Sequence, residues 1–238
     1  MSQNSNYTIT FNALGVVIFL AIIVYCATSP AYLSFLLCLS INVLLHELGH
    51  YIAGRFFKCK MNEVSLFFVP AVTYESNESR NIYNTANASW RNTKWTLGAL
   101  PFGGYTSFMT TTAPLFGDWR TSPFVNHKPA FARLIINGAG ILVNFFTFLI
   151  LFIAFPAGSS ILIDEIMNIA LVLSIINLLP FYPLDGSSIL ITIYEIVTGH
   201  KPSSGFMNVF KIAGAALMIY LFWINPSILN RLLAMILP

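Results

Sequence analysis

Long apolar stretches run through most of this chain, and polar residues interrupt them at intervals. Residues 11–28, 31–45 and 134–157 carry no charge at all. A helix needs about 20 mostly apolar residues to cross a bilayer, or about 17 at the short end. The pattern therefore predicts about six membrane segments, followed by a short amphipathic helix over 227–237 that is typical of an interface. The predicted segments are 11–28, 32–56, 131–156, 161–180, 185–198 and 207–225.

The connection between the second and third segments has a different pattern. VSLFF (64–68) and KWTLGAL (94–100) are typical of short strands, and a polar run separates them. LPFGGYTSF (100–108) combines proline and paired glycines, which is turn chemistry in an apolar context. Open strand edges in lipid leave backbone groups unsatisfied, so this hairpin region, about 62–110, must pack on protein or line a wet cavity.

These patterns predict the fold class. We expect an all-α polytopic membrane protein of about six transmembrane helices, with a membrane-associated β-hairpin insertion between the second and third spans. We expect residues 1–238 to form a single membrane-embedded domain. Composition supports the membrane class, because 56% of the 238 residues are hydrophobic and only 9% are charged, against about 25% charged in soluble domains.

The basic residues are concentrated in one connection. Nine of the twelve lysines and arginines lie between Arg55 and Arg133. The positive-inside bias predicts that this connection is cytoplasmic. The net charge of +3 is therefore explained by membrane topology, and we expect no nucleic-acid partner.

The clearest chemical motif is the pentad His46-Glu47-Leu48-Gly49-His50 within a predicted helix. Residues four apart share a helical face, so both imidazoles can bind one ion with Glu47 beside it. Zinc held in this way takes a third protein ligand and leaves a position for water, whose pKa falls toward about 7. A chance match is the alternative, but ionisable residues within a hydrophobic span favour a functional role.

Two acidic residues compete for the place of third ligand. Asp185 follows Pro180 and Pro183 and precedes Gly186, so it lies where the helix is broken and irregular backbone can face a cavity. Glu195 lies within the next apolar segment. Asp185 could also simply cap the following helix, which is compatible with metal binding. Two crossings separate the pentad from Asp185, so both would reach the cytoplasmic side.

Several ordered motifs give the chain a resemblance to the site-2 protease family of intramembrane metalloproteases. They are HELGH at 46–50, LPFGGY at 100–105, NGAGILVN at 137–144 and NLLPFYPLDG at 177–186. The run at 123–140 also resembles the approach to the third span in bacterial regulator-of-sigma-factor proteases. The resemblance implies an intramembrane zinc metalloendopeptidase with zinc ligands His46, His50 and Asp185 and with Glu47 as general base.

The resemblance also implies a set of substrate-binding residues. Asn177 matches a family asparagine that would stabilise the oxyanion or hold the substrate backbone. Gly103, Gly104 and Tyr105 match a membrane-embedded hairpin that would present the substrate as an extended strand. Asn144, in the third predicted span, belongs to the same group of candidates.

The family departures concern positions outside the proposed ligand set. Ile141 stands where the family usually has proline, and Ser187 where it often has a second glycine. The short link near 157–161 leaves no room for a PDZ domain, and we expect no CBS-like domain. Substrate choice would then depend on the membrane core, the hairpins or an unidentified regulatory partner.

The expected partners are the lipid bilayer and a single-span membrane protein or a signal-peptide remnant. The expected location is a bacterial inner membrane, with the active site toward the cytoplasm. Three alternatives remain: a metal or ion transporter, a non-catalytic relative that binds membrane helices, and a different zinc-peptidase fold with Glu195 as the third ligand.

Overall fold

The structure is a computed structural model that describes residues 7–76, 93–115, 117–156 and 158–220. Helices account for most of these residues, and three strands form one small sheet. The helices are α1 Ala13–Cys26, α2 Pro30–Phe56, α3 Ala130–Ala154, α4 Ile161–Leu178, α5 Asp185–Thr198 and α6 Ser204–Ile219. The strands are β1 Tyr7–Phe11, β2 Met61–Ser76 and β3 Lys94–Phe108.

Three of the helices, α2, α3 and α4, are long and apolar enough to cross a membrane. These correspond to the second, third and fourth predicted spans. Helix α1 is apolar but has 14 residues, α5 has 14 and α6 has 16. The total of six spans therefore stays a prediction. The segment 227–237 and the end of the last predicted span lie outside the described residues.

Helix α3 lies at the centre of the bundle and packs against α2, α4 and α5. Small residues allow α2 and α3 to come close: a Cβ added to Gly49 would lie 2.8 Å from the carbonyl oxygen of Ala139. A fully buried amide joins α2 to α4, because the Asn42 side chain donates to the carbonyl oxygen of Ile166 at 3.1 Å. Polar groups thus connect helices whose outer surfaces are apolar, as expected in a lipid environment.

The sheet has the order β1-β2-β3. Residues 63–66 of β2 each have two partners in β3, one in 94–97 and one in 104–107. The predicted strands at 64–68 and 94–100 are thus both present. LPFGGYTSF continues β3, and the chain folds back within it near Gly103, whose φ of +137° is a conformation that favours glycine.

The first strand was absent from the prediction. Residues Tyr7–Phe11 pair antiparallel with 72–76, so the sheet combines residues from both sides of the first two helices. Asn12 then caps α1 by accepting a hydrogen bond from the Gly15 amide at 3.0 Å. Gly15 packs directly on the backbone of β2, where an added Cβ would lie 2.8 Å from the Cα of Ala71. Helix α1 therefore lies directly against the sheet.

Candidate active site

Two helices bring three potential metal ligands together. His46 and His50 lie one turn apart on α2, and Asp185 is the first residue of α5. Asp185 Oδ2 lies 2.9 Å from His46 Nε2 and 3.0 Å from His50 Nε2. The two Nε2 atoms are 3.2 Å apart. Among the described residues this is the group of histidine and acidic side chains whose geometry could hold a metal ion.

The turn before α5 explains how Asp185 reaches the histidines. Helix α4 ends at Leu178, and α5 begins at Asp185 after the two prolines of that segment. Gly186 packs against the end of α4, where an added Cβ would lie 2.6 Å from the carbonyl carbon of Leu178. Leu184 occupies the N-cap position. The Asp185 carboxylate is therefore directed to the histidines instead of serving as the helix cap.

Glu195, the rival for third ligand, has a different partner. Its Oε2 lies 2.6 Å from an Arg133 guanidinium nitrogen, and both side chains are mostly buried. Ten residues of helix separate Glu195 from Asp185, which corresponds to about 15 Å along α5. Glu195 therefore joins α5 to α3 at a distance from the histidine pair.

The donor and acceptor pattern shows that the three ligand atoms fit a cation. His50 Nδ1 lies 2.7 Å from the carbonyl oxygen of Ile136, which can only accept, so Nδ1 carries the proton. In a neutral ring Nε2 is then unprotonated, and its lone pair is directed at the Asp185 carboxylate. Such convergent acceptors repel unless a proton or a metal cation lies between them. Tetrahedral zinc with bonds of about 2.0–2.1 Å separates its ligand atoms by about 3.3–3.4 Å, close to the distances observed.

The two histidines of the group are enclosed, whereas the aspartate is partly exposed. His46 and His50 are buried, while the Asp185 side chain is 24% exposed. Gly140 on α3 forms the floor: a Cβ added there would lie 2.6 Å from His46 Nε2 and closer still to His50 Nε2. Any side chain at position 140 would therefore enter the space between the ligands. Access to this group is thus on the Asp185 side.

Glu47 contacts the sheet, and its carboxylate is also close enough to His46, His50 and Asp185 to interact with them electrostatically. It is 4% exposed, and its Oε2 accepts a hydrogen bond from the Thr106 hydroxyl at 2.8 Å. Gly104 lies beside it, with an added Cβ 3.0 Å from Glu47 Cγ and 3.2 Å from Oε1. Alternate residues of a strand share a face, so positions 104 and 106 face Glu47 together.

The other predicted substrate residues are distributed differently. Tyr105 points to the opposite face of β3, toward Glu63 and Ser65. Asn144 is fully buried, with Nδ2 3.3 Å from His46 Nδ1. Asn177 is half-buried near the end of α4, and among the described residues no hydrogen bond joins it to the histidines or Glu47. The substrate roles of all these residues stay predictions.

Sequence reasoning did not identify three groups that contact the pentad. They are the Thr106 hydroxyl, which donates to Glu47, the backbone at Gly140, whose missing side chain leaves room for both imidazoles, and the carbonyl of Ile136, which lies beside His50 Nδ1. Thr106 directly follows the predicted Gly-Gly-Tyr turn, so its position was a usable signal. The four-residue spacing of 136, 140 and 144 places all three on one face of α3. Every residue has a backbone carbonyl, so the identity of residue 136 does not indicate that its carbonyl contacts His50.

Comparisons with known proteins agree with this architecture. A candidate zinc metalloprotease of Rickettsia conorii is 28% identical over 129 residues, which cover 52% of this chain and 32% of the relative. A candidate zinc metalloprotease of Agrobacterium fabrum is 34% identical over 84 residues, which cover 35% of this chain and 17% of the relative. The matches thus span a third or less of the length of these relatives.

A solved structure and a family model extend the comparison over most of the chain. The site-2 protease from Methanocaldococcus jannaschii superimposes with a TM-score of 0.52 at 18% identity, over 96% of this chain and 90% of that one. At this identity the likeness is one of fold. The model of Peptidase family M50 matches residues 34–163 and 156–221, which include both the pentad and Asp185. The predicted resemblance to site-2 proteases is thereby confirmed, and the chain belongs to peptidase family M50.

Proposed function

We propose that this protein is an intramembrane zinc metalloendopeptidase that hydrolyses a peptide bond within or beside the bilayer. The observation that carries the proposal is the convergence of His46, His50 and Asp185 next to the buried carboxylate of Glu47. The pentad lies on α2, which is apolar enough to cross a membrane, and Asp185 follows α4, which is also apolar enough. The candidate zinc metalloproteases among the relatives support the same chemistry.

The proposal assigns a role to each group. His46, His50 and Asp185 would hold zinc, which when bound acidifies a water molecule and polarises a carbonyl group. Glu47 takes a proton from the attacking water as the new C–O bond forms. It then delivers that proton to the amide nitrogen as the C–N bond breaks. The Thr106 hydroxyl holds the Glu47 carboxylate in place throughout.

The position of β3 supports a mode of substrate binding. β3 lies at one edge of the sheet, and its residues 103–107 run past Glu47. A peptide bond within a helix is shielded, so a transmembrane substrate must unwind before attack, and an extended segment could add to this strand edge. Gly103 and Gly104 carry no side chains that would keep such a segment away. In this proposal Asn177 stabilises the oxyanion or holds the substrate backbone.

The expected substrate is a single-span membrane protein or a signal-peptide remnant. We propose a multi-pass location in a bacterial inner membrane, because the basic residues between Arg55 and Arg133 favour a cytoplasmic connection. The pentad and Asp185 would then lie toward the cytoplasmic side. A regulatory partner would add selectivity.

The test combines zinc content with cleavage of a single-span substrate in detergent. Glu47→Gln should keep about one zinc per chain and lose cleavage, because Glu47 is proposed as base and not as ligand. Asp185→Ala should lose both, because two histidines alone hold zinc weakly. Asp164→Asn is the matched control. The Asp164 carboxylate lies away from the site and accepts a hydrogen bond from the Gly158 amide in the link between α3 and α4. Its replacement should change neither zinc content nor cleavage.

Each outcome bears on a separate part of the proposal. Substantial turnover by Glu47→Gln would refute the role of Glu47. Normal zinc content in Asp185→Ala would refute the ligand set. Wild-type protein that binds no zinc under conditions where it remains folded would refute the metalloprotease proposal.

A further inference from the structure

Asn144 occupies an unusual position beside the ligand group. Its side chain is fully buried within α3, and its Nδ2 lies 3.3 Å from His46 Nδ1. Its other polar atom, Oδ1, has no hydrogen-bond partner among the described residues. An unsatisfied buried carbonyl costs about 1–3 kcal/mol, so its retention calls for an explanation.

The chemistry of a ligating histidine supplies that explanation. When Nε2 of a neutral imidazole is directed at a metal, the ring proton resides on Nδ1, and Nδ1 becomes a donor. The Asn144 Nδ2 group is also a donor, so the two cannot bond as they face each other. Rotating the terminal amide exchanges Nδ2 and Oδ1, which have nearly the same shape. The partnerless Oδ1 then accepts the Nδ1 proton of His46.

His50 shows the same arrangement with a different acceptor. Its Nδ1 lies 2.7 Å from the carbonyl oxygen of Ile136, also on α3. Ile136 and Asn144 lie two turns apart on the same face, with Gly140 midway between them against both rings. One face of α3 thus offers an acceptor to Nδ1 of each histidine, and Gly140 leaves space for both rings between the two acceptors.

We propose that Asn144 is a positioning residue for His46. It accepts the Nδ1 proton, fixes the tautomer that directs Nε2 at the ligand group, and sets the ring orientation. The inference rests on the proposed metal binding, and it gives Asn144 a role other than substrate binding. With 0% of its surface exposed, Asn144 offers no area to a substrate.

The experiment measures the zinc dissociation constant of the full chain in detergent, by competition with a chromophoric chelator. Groups that accept the second ring N–H of a metal-bound histidine typically raise metal affinity about 10–100-fold. Asn144→Ala should weaken zinc binding by that factor. Asn144→Asp should bind within a few-fold of wild type, because a carboxylate retains the acceptor. This rescue distinguishes orientation of the ring from a merely structural role.

Asn42→Ala is the matched control. Asn42 is equally buried, also has a partnerless Oδ1, and lies one turn before His46, but it bonds to α4 and not to a histidine ring. Its loss should lower thermal stability and leave zinc affinity unchanged. The inference is overturned if Asn144→Ala binds zinc like wild type, or if Asn42→Ala weakens binding equally. Zinc-free wild type would overturn the proposed function as well, so the two failures are distinguishable.

Discussion

The helices and the sheet contact the pentad from different sides and support different parts of it. On the helical side, α3 and α5 surround the two imidazoles with a carbonyl, an amide, a carboxylate and a glycine. On the sheet side, β3 contacts Glu47 through one hydroxyl and one glycine. In the proposed function, metal retention and proton transfer would therefore have separate structural supports. Mutations should therefore be able to remove one without the other.

The largest effect on zinc binding and cleavage is expected at Gly140, on the helical side of the pentad. Gly140→Ala places a methyl group 2.6 Å from His46 Nε2 and closer to His50 Nε2, so the ligands must separate. We expect loss of bound zinc and of cleavage together, measured by metal analysis and by a single-span substrate assay.

Gly138→Ala provides the control for this prediction. It lies half a turn away on the same helix, and an added Cβ there would meet only Ile189 Cδ1, at 3.9 Å. Zinc and cleavage should persist, and stability should rise by up to about 1 kcal/mol because alanine favours the helix. If both variants retain zinc, the helical side does not depend on the space at Gly140.

The next effect is expected on the sheet side. Thr106→Val keeps the shape of the side chain and removes the hydroxyl that donates to Glu47. A hydrogen bond to a charged group contributes about 1.5–3 kcal/mol, so kcat should fall about tenfold or more while zinc content stays at the wild-type value. Thr106→Ser retains the hydroxyl and should keep most of the activity. Loss of zinc in Thr106→Val would contradict the separation of the two sides.

The smallest effect on the site is expected from the ion pair between α3 and α5. Glu195→Gln leaves the Arg133 guanidinium without its counter-charge in a mostly buried position. The free energy of unfolding should fall by about 2 kcal/mol, as for a weakened hydrogen bond to a charged group, and zinc affinity should fall by only a few-fold. SDS titration in mixed micelles measures the former. The double variant Arg133→Gln/Glu195→Gln should be less destabilised than the single one. A complete loss of zinc would instead favour Glu195 as a ligand.

Local patterns made the histidine pair and the helix break at Asp185 predictable. The four-residue spacing of His46 and His50 fixes a shared face, and the two prolines before Asp185 mark the helix break after which its carboxylate turns toward the histidines. The motif also identified Glu47. These inferences need only neighbouring residues on one element, and the strands at 64–68 and 94–100 were recognisable for the same reason.

The sheet side depends on contacts between distant residues, which a single sequence does not reveal. Residues 7–11 alternate as a strand should, but their partner lies more than 60 positions later. Nothing in β3 shows that its two halves pair with the same four residues of β2. The contact between Thr106 and Glu47 follows from that fold-back. The resemblance placed Asn144 among the substrate residues, and its contact with His46, on another helix, is not visible in the sequence.

The close approach of α2 and α3 at Gly49 has a thermodynamic consequence. The glycine lies between the two histidines in sequence, and there the backbones meet with almost no side-chain layer between them. Helices in such contact cannot slide or rotate without a steric clash, so the imidazoles keep their relative placement. The two histidine ligands are therefore preorganised by folding itself. Association with a metal would require little further loss of conformational entropy.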